Sequence, residues 1–151
     1  MRAEVDQSGK IEQLNCDTVI AFSNSAQYVV LLSKSLKRDI FLRYKSRIPR
    51  LKYKLFCISL YYCIKNLLYV PSLIVIDYEY KGNEDVIKSL LLNCIRRTCK
   101  EFEAKRISFG AIGKSSNAHA AAIDVFRKNR LPDKVLTLRD VESFLKLPEE
   151  M

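Results

Sequence analysis

Four carboxylates and one histidine occupy positions where they could do chemistry. Asp77 closes an almost purely apolar run, Leu73 to Ile76, and Glu79 follows two residues later. Period-two alternation along a strand puts Asp77 and Glu79 on one face, with Ile76, Tyr78 and Tyr80 on the other. Asp6 ends a weakly alternating opening stretch, and Asp124 falls inside a small-residue helical stretch that starts near His119, the only histidine. Carboxylates converging from separate elements can hold two divalent cations about 3.5–4 Å apart, the arrangement that hydrolyses phosphodiesters. Hard oxygen donors suit Mg²⁺ or Mn²⁺, and no fixed sequence spacing is needed, because the fold brings the ligands together. Asp6, Asp77 and Asp124 are the candidate catalytic and metal-holding set, with Glu79 as a further metal ligand. His119 is a candidate ligand or proton shuttle. The plain alternatives are a turn residue, a strand-end acid, a helix-surface charge and a hydrogen-bonded structural histidine.

The charge balance points the same way. With 26 Lys and Arg against 17 Asp and Glu, the net charge is +9. Such a surplus favours a polyanionic partner, most simply RNA, DNA or a hybrid of the two. Residues 34–54 carry nine cations, among them Lys34, Lys37, Arg38, Arg43 and Lys45, and Asp39 is their only acid. Tyr44 and Tyr53 lie in the same stretch and could stack on bases, so it reads as a nucleic-acid contact or, more plainly, as a solvated helix face. Gly113-Lys114-Ser115 suggests a phosphate loop, but position 108 is Ser where a Walker pattern requires Gly. A milder version stands, with Lys114, Ser115 and Ser116 binding a phosphate at a helix N-terminus. Arg96, Arg97 and Lys100 suit the negative end of a helix and need no site.

The five cysteines lack paired spacing, and one histidine is too few to complete a zinc set. An odd number of thiols with mostly apolar neighbours implies reduced, buried cysteines in a cytoplasmic protein. The most apolar window, Leu55 to Val70, is interrupted by Lys65 and Asn66 and is too short for a bilayer. It reads as core, with no membrane association.

The elements that must position these groups follow from periodicity. Strands are expected over 2–6, 18–22 and 27–32, with 11–14 able to pair back as a hairpin arm. Helices are expected over 36–46 and 51–68, a strand over 73–79, and a helix over 84–101 capped by Asn83. A strand over 106–112, a helix over 116–129, a short strand over 135–138 and a helix over 139–147 complete the chain, with Thr137 through Asp140 as a capping arrangement. The sum is a single α/β domain over 1–151. Its mixed sheet has five to six strands, antiparallel in the first three and parallel later, with flanking helices. Asp6 and Asp77 then lie on adjacent strands.

Val5-Asp6-Gln7-Ser8-Gly9 resembles the first-strand Asp motif of ribonuclease H-like proteins. Three antiparallel strands, a helix, and Ile74-Val75-Ile76-Asp77 on a fourth strand is similar to that family's order. Ile112-Gly113-Lys114-Ser115-Ser116-Asn117-Ala118-His119, leading to Asp124, resembles its loop after the fifth strand and its final acidic helix. The resemblance spans about residues 2–130 and implies a ribonuclease H-like fold with metal-dependent cleavage of nucleic acid. The family's first-helix Glu has no match beyond Asp39, and Asp124 lies later than the family's last carboxylate, so His119 is the alternative there. A silent nucleic-acid-binding or protein-interaction module of the same fold is the competing expectation.

Overall fold

The computed structural model describes residues 2–145. Six strands form one sheet in the order β5-β4-β1-β2-β3-β6. β1 (Arg2–Ser8), β2 (Thr18–Ser23) and β3 (Gln27–Leu32) make the antiparallel half. β4 (Leu73–Asp77) joins β1 in parallel, and β5 (Ile107–Gly110) joins β4 in parallel. β6 (Lys134–Val135) adds a short parallel edge to β3. Parallel strands need long crossovers, and the helices supply them.

α2 (Leu51–Ile64) buries eleven of its fourteen side chains. A helix this apolar must be covered on all sides. It lies between the sheet and the helices α3 (Glu84–Ile95) and α5 (Leu138–Leu145). α1 (Lys34–Tyr44) contributes Leu36 and Ile40 to the same large core, which also takes Ala3, Val5, Ile74 and Ile76 from the sheet. Among the described residues, α4 (Asn117–Phe126) covers the opposite face alone, through a smaller cluster of Val19, Ala21, Val29, Ala121, Ala122 and Val125. Alanine on both surfaces lets this helix approach the strands closely, bringing its first turn to the edge of β1. No helix among the described residues is long and apolar enough to cross a membrane.

Several expected elements are corrected. Residues 11–14 form turns, because Gly9 turns the chain out of β1 at φ 79°. A Cβ there would lie 2.1 Å from the Asp17 carbonyl oxygen, so only glycine fits. β4 ends at Asp77, two residues short of its expected limit, and the α2 helix tightens into a 3-10 turn at Lys65–Leu67. α3 stops at Ile95, and no Asn83 side-chain hydrogen bond caps its start. Arg96 and Arg97 instead donate to carbonyls, of Phe102 and of Ser143 and Phe144. The capping arrangement before α5 is present and reciprocal: Thr137 N–H donates to Asp140 at 2.9 Å, and Asp140 N–H to Thr137 Oγ1 at 3.1 Å. The expected end of that helix, at 146–147, lies outside the described residues. Cys57, Cys63 and Cys94 are buried free thiols, and Cys16 and Cys99 are partly exposed.

Candidate functional site

The β1–β4 ladder runs in register from Arg2–Leu73 to Val5–Ile76. The next residue on each strand is an aspartate, so Asp6 and Asp77 emerge side by side where the two strands part. Glu79 arrives by a different route from strand alternation. Its N–H donates to the Asp77 carbonyl at 2.9 Å, a tight turn that swings its carboxylate back over the strand ends. One oxygen from each of Asp6, Asp77 and Glu79 lies within 4.8 Å of the other two.

These acids are poorly neutralised. Asp6 is 4% exposed, and burial raises its pKa against the opposing pull of the His119 hydrogen bond. Burial pushes Glu79 up to about 7, helped by the charges of Asp77 and Asp6, while Lys10 acts the other way. Three like charges at this range cannot all ionise cheaply without a cation. Asp77 Oδ1 accepts the Ile112 N–H at 2.9 Å, which ties the loop after β5 to the site. The amide oxygen of Gln7, a residue only 8% exposed, has no hydrogen-bond partner. It lines the same narrow cleft as the three acids.

His119 sits in the first turn of α4, and its Nδ1 is 2.7 Å from Asp6 Oδ2. With Asp6 ionised, Nδ1 carries a proton and donates it to that carboxylate. Ser116 caps the same helix by accepting the Ala118 N–H at 3.1 Å, and it donates to Glu4 Oε1 at 2.9 Å. Glu4 and Asp6 share a face of β1, so two contacts fasten the start of α4 to that strand.

The other expected site residues separate from this group. Asp124 is exposed on α4, about 140° round the helix from His119 at five residues' distance. It does not join the acidic group. Asp39 pairs with Arg43 at 2.7 Å on the surface of α1. Lys37 is fully buried, and its ammonium donates to the carbonyls of Lys10 and Gln13 and to Thr18 Oγ1 at 2.6–3.1 Å. It braces the β1–β2 loop and cannot meet a nucleic-acid phosphate. Lys34, Arg38, Arg43, Lys45, Lys114 and Ser115 are exposed. Sequence reasoning missed Lys10 and Gln7. Both follow Asp6 closely, and their position beside a strand-end acid was the available signal.

An all-oxygen trio with one imidazole beside it suits a hard divalent cation. Comparison with family models, with curated proteins and with solved structures gives no match to this chain.

Proposed function

We propose that the chain is a nuclease, or a related phosphoryl-transfer enzyme, of ribonuclease H-like type, dependent on Mg²⁺ or Mn²⁺. The observation that carries this reading is the convergence of Asp6, Asp77 and Glu79 at one strand mouth. The strand order, with a parallel fourth strand beside the first, and the loop joined to Asp77 through Ile112 support it. The net charge of +9 supports a nucleic-acid substrate.

In this reading Asp6, Asp77 and Glu79 hold the cation. A cation held there would supply polarisation of the phosphodiester and activation of the attacking water. His119 donates Nδ1–H to Asp6 and so fixes the direction of that carboxylate. Its Nε2 remains available to accept or return a proton at the edge of the site. Glu79, with its raised pKa, gives up a proton when it binds the cation.

A second reading has a specific observation behind it. Without Asp124 the group offers only three carboxylates, fewer than a pair of cations usually takes. A single-cation site on a silent nucleic-acid-binding module is compatible with that count. The deciding experiment incubates the chain with Mn²⁺ and DNA, RNA and hybrid substrates beside Asp77→Asn. We expect metal-dependent cleavage by the parent and a loss of roughly a thousandfold, about 4 kcal/mol of barrier, in the variant. Absence of cleavage by the parent, with oligonucleotide binding that Asp77→Asn leaves intact, supports the silent module instead.

A further inference from the structure

We propose that Lys10 and Lys52 form a phosphate seat beside the acidic trio, so that a single nucleic-acid strand enters the site across Tyr80 rather than along α1. The inference rests on reading the trio as the reacting end of the molecule. Tyr80 directly follows Glu79 and is pinned in place. Its hydroxyl accepts the Ile11 N–H at 3.1 Å and donates to Glu12 Oε1 at 3.2 Å. Its ring packs edge-on against Tyr53 and Phe56. Two ammonium groups from distant parts of the chain lie near this ring, Lys52 Nζ at 5.3 Å and Lys10 Nζ at 5.9 Å from its centroid. Lys52 also lies 4.9 Å from the Tyr53 centroid. Aromatic faces hold a cation in position while leaving its protons free for an anion.

Both cations are open to such an anion. Lys10 is exposed, and the Lys52 pairing with Glu12 is 3.9 Å long, with both side chains reaching water. A pairing of that kind adds little to stability and yields readily to a phosphate. The arrangement also solves a problem that the trio creates. Three carboxylates repel a phosphodiester, so fixed positive charge must meet the strand on the flank of the site. Lys10 and Lys52 supply it at Tyr80, the residue that follows Glu79. The α1 surface is a poorer approach. Lys37 is buried and Arg43 is taken up by Asp39.

The test is binding of a fluorescein-labelled single-stranded oligonucleotide by the full chain in EDTA, over a salt series. It is followed by anisotropy, with inorganic phosphate as competitor. Each phosphate contact on a single strand contributes about 0.7 to the slope of log affinity against log salt. Lys10→Gln with Lys52→Gln should lower that slope by about 1.4 and weaken binding about tenfold at 0.1 M salt. Lys10→Arg with Lys52→Arg should restore it, and Lys34→Gln with Arg38→Gln should leave it unchanged. Lys10→Gln alone, on an exposed side chain, should give half the change and covers the case in which the double variant fails to fold. Displacement by inorganic phosphate supports the seat, and either of two results overturns it: a parent that binds no oligonucleotide, or an unchanged slope in a folded Lys10→Gln variant. Cleavage in Mn²⁺ with an unaltered slope removes the seat and keeps the nuclease reading. A lowered slope without cleavage does the reverse.

Discussion

The protein holds two charged clusters, a fully buried lysine and a partly buried group of acids, and treats them oppositely. At one, the Lys37 ammonium meets two carbonyls and a hydroxyl, so each of its three protons has an acceptor. At the other, three carboxylates crowd within 4.8 Å, and the donors reaching Asp6 and Asp77 are His119, the Gln7 N–H and the Ile112 N–H. A satisfied buried charge is a brace. A crowded, under-satisfied one stores unfavourable energy that a bound cation can release, and sites of that kind accumulate where function is performed. The same burial that makes Lys37 dispensable to any ligand therefore marks the acids as the place where one belongs.

The largest test of this contrast is Lys37→Met. It leaves Lys10 O, Gln13 O and Thr18 Oγ1 without their shared donor inside the fold. We expect about 3 kcal/mol of lost stability in urea unfolding, with no effect on the affinity of the trio for Mn²⁺ beyond that of partial unfolding. A neutral or stabilising result would make the brace incidental and weaken the comparison at its firmer end.

A smaller effect is expected from His119→Ala, which frees Asp6 Oδ2. Loss of a group that orients a ligand costs about 10–100-fold in metal affinity, measurable by titration calorimetry with Mn²⁺. His119→Asn, which can still donate to Asp6, should recover part of it. Equal losses in the two variants would point to Nε2 as a direct ligand.

The smallest effect is a pH dependence. The Glu79 carboxyl keeps its proton in the folded chain up to about 7, above its ordinary range near 4.5. Between those values the native state binds more protons than the unfolded one, so this group's contribution to stability is present at low pH and lost as pH rises toward 7. Metal-free melting temperatures should fall over that window, and Glu79→Gln should flatten the trend. Saturating Mn²⁺ should reverse it, because metal binding requires the deprotonated carboxylate. A rising melting temperature without metal would mean that Glu79 is ionised and satisfied.

How much of this was legible beforehand differs from residue to residue. The run Leu73 to Ile76 followed by Asp77 could be read directly, since an apolar stretch of strand length ending in an acid has few other readings. The pairing of Asp6 with Asp77 followed from the element order. Glu79 was placed with Asp77 for a reason the fold does not use, because the backbone turn after Asp77 returns it to the site. Asp124 and Lys37 carry no sequence mark separating a surface charge from a ligand, or a brace from a phosphate contact. Helical angle and the depth of the β1–β2 loop decide those, and neither is a local property.

What the sequence determined by itself is the order and type of the elements, because hydrophobic period, turn residues and caps act over a few positions. It also determined that acids would stand at the ends of two strands and that the molecule would carry excess positive charge. Only the tertiary structure decided which charges face one another. Closing β4 against β1 brings residues 6, 77 and 79 within reach of a single ion, and folding the β1–β2 loop under α1 turns Lys37 inward while Lys10 and Lys52 stay beside the site. Electrostatic function depends on distances of a few ångströms between residues far apart in the chain, and those distances exist only once the sheet has closed.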